Sequence, residues 1–353
     1  MFTNLKYDLL TWYYKAKEAR QLSKVRKAYL QARKRSVATL KRMDEGLIGT
    51  KKEEIRLFAV MRNEALRLPH FLRYYKNLGV NRFFLIDNGS DDGSVSLALD
   101  QKDVHVFVTH ETYENHWYWV EHLLDMYGTG HWCVVVDIDE LFATPHNISL
   151  GRLTQYLDQN QYTALHCLLL DMYADKKITE TNYTQNQDPL EVLNYFDSQY
   201  EIDSFSFIDR KRMTNGWSKS FVGGMRERVF GRTNPRDILS KIPLFKYDSE
   251  MYLTQGMHTV YQAKIADIQG VVFHTKYLFD FAEEVAEEVR REEHYSDAIR
   301  YKHYAKTLNQ DKNLTFYDRE ISIEYTSVEQ LIELGLMRTT SSFEVFISKK
   351  NVD

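Results

Sequence analysis

Between residues 55 and 136, short apolar runs of strand type alternate with amphipathic runs of helical spacing. That alternation allows little besides a layered α/β fold built on an open, mostly parallel sheet flanked by helices. Residues 55–61 are rich in strand formers. Residues 66–78 carry apolar side chains at helical spacing, with Pro69 near the start and Gly79 just past the end, where each residue suits a helix. Residues 82–87 give a second strand, 104–108 a third, 115–127 an amphipathic segment, and 132–136 a fourth strand of fully buried type. Beyond residue 150 the pattern weakens, although 163–170 reads as another buried strand and 279–308 as one long amphipathic helix. Glu283, Glu284, Glu287, Glu288, Glu292 and Glu293 of that helix read as a solvated face.

In open sheets of this kind ligands bind at the carboxyl ends of the strands. Here those ends are polar: Arg62-Asn63-Glu64 after the first strand, Asp87-Asn88-Gly89-Ser90-Asp91-Asp92-Gly93-Ser94 after the second, and Asp137-Ile138-Asp139-Glu140 after the fourth. The expectation is one crevice fed by three strand ends. In an extended Asp137-Ile138-Asp139 the two carboxylates point to the same side and Ile138 turns the other way. Paired carboxylates suit a hard divalent ion, Mn²⁺ or Mg²⁺, which takes oxygen ligands, bridges two phosphates and offsets the charge that grows as a nucleoside diphosphate leaves. The bland alternative is a pair of exposed acids at a strand end.

The charge distribution narrows the partners. Twelve Lys/Arg in residues 1–50 face Asp8, Glu18, Asp44 and Glu45, so this segment carries 12 − 4 = +8 and the remainder −4 − 8 = −12. An acidic body argues against nucleic-acid binding, which needs an extended basic face. The arm, helical in pattern with Leu9, Leu10, Trp12 and Tyr13 near one end, suits an anionic membrane surface or, equally, packing on the body. No signal-peptide core or membrane-spanning run is visible, and Cys133 and Cys167 sit in apolar runs as small buried hydrophobes. These features predict a cytoplasmic protein, peripheral at most on the inner face of the membrane. The expected organisation is a basic helical arm over 1–50, a catalytic domain over 51–277 and a mainly helical region over 278–353.

Residues 55–142 resemble the nucleotide-sugar half of GT-A glycosyltransferases near family 2. The resemblance rests on Asn63-Glu64 after the first strand, on Asp87 to Ser94, which matches the pattern D-x-G-S-x-D-G-[ST] at every fixed position, and on Asp137-Ile138-Asp139 as D-x-D. It implies a GT-A fold and an inverting transfer of a sugar from a nucleoside diphosphate donor to a glycan or glycolipid hydroxyl. Arg62, Asn63, Glu64, Asp87, Asn88, Ser90, Asp91, Asp137, Ile138 and Asp139 would lie on the donor, with Asp137 and Asp139 on the metal. A late histidine, His258 or His274, would add to the metal, and Lys276 would meet the diphosphate. The segment from Gly223 to Gly231 resembles a smaller bacterial branch acting on lipopolysaccharide or capsule; there the basic residues would face an anionic ligand and Glu227 would be the base, with Asp171 its rival. The E-D and Q-x-x-R-W motifs of processive synthases are absent, which implies single transfer. Two other readings compete. A nucleotidyltransferase would need a glycine-rich basic loop where this chain has Met61-Arg62-Asn63-Glu64-Ala65. A non-catalytic nucleotide-sugar-binding subunit, tethering a glycan-assembly complex to the membrane through residues 1–50, would not need the intact acids.

Overall fold

The structure, a computed structural model, describes residues 2–209, 214–255, 257–293, 295–311 and 313–349. After a long helix α1 (Phe2–Ala38) come the strands β1 (Lys41–Arg42), β2 (Arg56–Met61), β3 (Arg82–Asp87), β4 (Val104–Val108), β5 (Trp132–Val135), β6 (Glu140–Ala143) and β7 (Ala164–Asp171). Between them lie helices α2 (Leu68–Leu78), α3 (Ser94–Leu99), α4 (His116–Tyr127) and α5 (Leu150–Gln159). Two later strands, Ser240–Lys246 and Ile265–His274, complete a nine-stranded sheet in the order β1-β4-β3-β2-β5, then Ser240–Lys246, β7, Ile265–His274 and β6. β4, β3, β2 and β5 are mutually parallel, and so are β7 and Ile265–His274. The strand Ser240–Lys246 is antiparallel to both β5 and β7, which restores the direction, and only β1 and β6 otherwise run against it. Six of the nine strands therefore run the same way, and the expected mostly parallel α/β sheet is what forms.

Every residue of β2 is buried, because both faces of the sheet are covered. Leu57, Ala59 and Met61 point into one core with Phe71 and Tyr75 of α2, while Phe58 and Val60 point into the other with Trp119 and Leu123 of α4. A third cluster of Tyr173, Met225, Phe230, Tyr277, Phe281 and Tyr304 lies across the boundary expected at residue 277. The helix expected over 279–308 is two helices, Phe281–Arg291 and Tyr295–Gln310; the first ends where Glu292 turns left-handed at φ 51°, a conformation that stops a helix.

The basic arm packs on the body in its second half. Tyr29 of α1 donates to Glu121 of α4 at 2.7 Å, Arg33 pairs with Asp125, and β1 adds an edge strand to β4. The side chains of Leu9, Leu10, Trp12 and Tyr13, on which the membrane reading leaned, lie outside the described residues. Among the described residues no helix is long and apolar enough to cross a membrane. Cys133 and Cys167 are buried and free.

Candidate functional site

The loops that leave β2 and β3 at their carboxyl ends are laced together. Asn63 and Glu64 donate backbone N–H groups to the Ser90 and Ser94 hydroxyls at 2.9 and 2.8 Å, and Ala65 N–H donates to Asp92 at 2.8 Å. In return Asp91 N–H donates to the Asn63 side chain at 3.0 Å, and Asn63 itself sits at φ 54°. Asp87 is the hub of the second loop. Its Oδ2 accepts from Gly89 and Ser90 N–H at 3.0 and 3.1 Å and its other oxygen accepts from the Ser90 hydroxyl. These strand-end residues therefore build a fixed rim, and Arg62, held by a 2.6 Å bond to the Asn88 carbonyl, leans over it.

Below that rim the Asp137-Ile138-Asp139-Glu140 turn joins β5 to β6. Lys241, fully buried at the start of its strand, donates to Asp137 at 3.0 Å and to Glu140 at 2.7 Å, while Glu140 also accepts from Asp137 N–H at 2.9 Å. Burial, opposed by Lys241 and reinforced by Asp137 and Asp139, pushes the Glu140 carboxyl up to about 7. Burial works the same way on Asp137, but Lys241 outweighs it and holds that carboxyl below its ordinary value.

Sheet register assembles the next layer. His274 is the direct cross-strand partner of Asp171 on one side and of Glu140 on the other. Its ring lies between two carboxylates, Nδ1 at 2.7 Å from Asp171 and Nε2 at 3.3 Å from Asp139. Burial alone would lower its pKa; Asp139 and Asp171 raise it to about 9, so the ring is an imidazolium at neutral pH. Arg226 closes the chain of charges with bonds of 3.0 and 2.6 Å to Asp171, whose carboxyl burial would raise but Arg226 and His274 hold at about 2. Gly224, in the turn leading to Arg226, sits at φ 60° with the Tyr200 ring 2.7 Å from where a Cβ would be, so only glycine fits there.

These groups surround a cleft of about 2470 Å³. Of the residues read from the sequence, Arg62, Asn63, Glu64, Asp137, Ile138, Asp139, His258, His274 and Lys276 line it; Asp87, Asn88, Ser90 and Asp91 support its rim from behind. His258 contacts the Ser240 carbonyl through Nδ1 at 3.0 Å, and burial together with Lys241 pushes it down to about 3, so it is neutral. Neither base candidate lines the cleft. Asp171 is held by Arg226, and Glu227 is clasped by Arg236 at 2.5 and 2.6 Å. The basic residues of the Gly223–Gly231 segment have their anions inside the protein: Arg226 on Asp171, and Arg228 on Asp197 at 2.8 Å. The glutamates after residue 280 are a solvated face only in part, since Glu283 and Glu292 are exposed but others turn inward. Glu284 and Glu287 line the cleft, and Glu288 is buried.

Sequence reasoning passed over Lys241 and Arg67. A lysine inside the apolar run 238–245 was a visible signal, since lysine is almost never fully buried unless paired. Arg67, three residues after Glu64, bonds Asp280 at 2.8 Å across the cleft, a contact no local pattern announces.

The donor set agrees with a divalent ion held partly by its ligand. Asp139 lines the cleft, and Asp137 commits Oδ2 to Lys241, leaving Oδ1. Among the described residues no group of three or more His, Cys, Asp or Glu side chains could hold a metal by itself. A small hard cation that keeps one or two carboxylates and takes its other ligands from phosphate and water fits such a pair.

No protein-family model matches the chain. A glycosyltransferase family 92 protein of Ricinus communis is 27% identical over 115 residues, 30% of this chain and 20% of that protein, so the match spans about a fifth of the length of the relative. Among solved structures, the 4-diphosphocytidyl-2C-methyl-D-erythritol synthase of Anaerococcus prevotii is 13% identical with a TM-score of 0.25, over 38% of this chain and 66% of that one. The UTP-bound UGPase of Acinetobacter baumannii is 9% identical with a TM-score of 0.25, over 71% and 98%.

Proposed function

We propose that this chain is a GT-A glycosyltransferase that moves a sugar from a nucleoside diphosphate sugar to a hydroxyl of a glycan or glycolipid acceptor. The observation that carries the reading is the convergence on one cleft of Asn63-Glu64, Asp137-Ile138-Asp139 and Lys276 from separate strand ends, over a rim organised by Asp87. The partial likeness to a glycosyltransferase family 92 protein supports it. Asp139, with Asp137 beside it, would hold Mn²⁺ or Mg²⁺, which would supply Lewis-acid stabilisation of the negative charge on the departing nucleoside diphosphate. The chain's own residues then orient the donor. Lys241 keeps the acid turn closed, His274 fixes Asp139, and Lys276 offers a cation to the diphosphate.

The base that accepts the acceptor proton is Glu227 or Asp171 in this reading, and either one must first be released by its arginine, Arg236 or Arg226. Transfer is inverting and single, the acceptor a surface glycan such as lipopolysaccharide or capsule, and the basic arm rests on the inner face of the membrane. The test is release of nucleoside diphosphate from UDP-, GDP- and dTDP-linked sugars, and of CMP from CMP-linked ones, with Mn²⁺ or EDTA. One donor turns over only with metal, and Asp139→Ala lowers that rate by about 10²–10³-fold, the scale of losing a preorganised electrostatic contact. Turnover of none, with binding of one, would favour the tethering-subunit reading.

A further inference from the structure

Three cations of the cleft are each paired with a carboxylate from one stretch of chain. Arg67 bonds Asp280 at 2.8 Å, Lys276 bonds Glu284 at 2.5 Å, and Arg62 meets Glu287 at 3.3 Å. Asp280 immediately precedes the helix Phe281–Arg291 without bonding its backbone through its side chain, and positions 280, 284 and 287 follow one another on a single helical face. The adjacent stripe, Phe281 and Val285, is fully buried against Phe230, Tyr277 and Tyr304, so the helix is anchored by its apolar side and presents its acids to the cleft. Arg62, Arg67, Lys276 and Asp139 all line that cleft. The three cations thus line the same cleft as the acid turn, where the donor diphosphate would lie, and three negative charges already meet them.

We propose that Arg67 joins Arg62 and Lys276 as the diphosphate-binding set, and that Asp280, Glu284 and Glu287 are an internal substitute for the diphosphate, exchanged for it when the donor binds. The inference rests on the donor reading above. It explains why a helix facing a phosphate site is acidic: the carboxylates keep the largely buried Arg67 and Lys276 and the partly exposed Arg62 paired, and they reject anions that cannot outcompete all three. A diphosphate offers several oxygens on one rigid group and can replace the set at once, where a single phosphate cannot.

The probe is inorganic pyrophosphate in EDTA, measured by calorimetry on the full chain. Removing two competing carboxylates in Glu284→Gln/Glu287→Gln raises its affinity about tenfold, and Arg67→Gln lowers it by a similar factor. Glu283→Gln removes the same charge from the same helix without breaking one of the three pairs, and gives a clearly smaller change. Equal gains from Glu283→Gln and Glu287→Gln, no gain from the double variant, or indifference to Arg67→Gln would overturn the proposal. If the double variant fails to fold, as its melting curve would show, the singly substituted and partly exposed Glu287→Gln decides by a few-fold gain or none. A chain that turns over no nucleotide sugar but shows these shifts loses its proposed function and keeps the anion site; normal turnover without the shifts does the reverse.

Discussion

His274 is the residue whose chemistry depends most on its neighbours. Held between Asp139 and Asp171, it keeps its proton to about pH 9, against 6.5 for an ordinary histidine. The folded chain therefore binds one more proton than the unfolded chain between those values, and its stabilisation is complete below 6.5 and lost as pH rises through 9. The shift corresponds to about 3 kcal/mol at most. Glu64, which burial pushes up to about 8 against the pull of Arg67, makes stability fall in the same direction up to its own pKa, so the variant comparison is needed. The stability gap between wild type and His274→Asn, measured by urea unfolding, should shrink steadily from pH 6.5 to 9. A gap independent of pH would mean the ring is neutral in the fold. The acids themselves were legible in the sequence because strand ends are where such sheets bind ligands. Their partners were not, since Lys241, Arg67 and Arg226 reach them through tertiary contacts that no spacing rule encodes.

At the scale of elements, β2 to β5 with α2 and α4 follow the sequence reading to within about two residues, because each is a clean run of one period bounded by turn residues. The strand Ser240–Lys246 escaped it. It contains Pro243, which cannot donate to a ladder, and its pairing with β7 shifts register between Lys241 and Leu244. That irregular strand nonetheless carries the ammonium under the acid turn, and Lys241→Met tests what it does there. Removing one partner of a buried ionic group leaves uncompensated charge, so the variant should lose about 3–5 kcal/mol at neutral pH. The loss should be larger near pH 9, because Glu140, already raised to about 7 with the lysine present, is raised further without it and must then hold a proton that the unfolded chain gives up. Chemical unfolding at both pH values checks it; equal losses would mean that the lysine acts by packing rather than by charge. The single helix read over 279–308 failed for a related reason, because its amphipathic period continues through a left-handed Glu292 that periodicity does not reveal.

Over the whole molecule the charge is split, +8 on residues 1–50 and −12 on the rest (12 − 4, then −4 − 8). The fold shows how an arm can both pack and remain basic. Tyr29 and Arg33 turn toward α4, whereas Lys24, Lys27, Lys34 and Arg35 are exposed to solvent. Sequence alone left membrane contact and packing on the body as equal alternatives, and helical geometry makes them compatible, since opposite faces serve them. If the exposed face rests on anionic lipid, the protein should sediment with vesicles containing phosphatidylglycerol and not with pure phosphatidylcholine, and high salt should release it. Each basic residue near such a surface contributes roughly 1 kcal/mol, so Lys24→Ala/Lys27→Ala/Lys34→Ala should weaken binding about a hundredfold while donor turnover on a soluble acceptor is retained. Equal partition to both vesicle types would leave the arm a structural brace. Binding that survives the triple substitution would move the contact to residues 1–15, where Leu9, Leu10, Trp12 and Tyr13 stand.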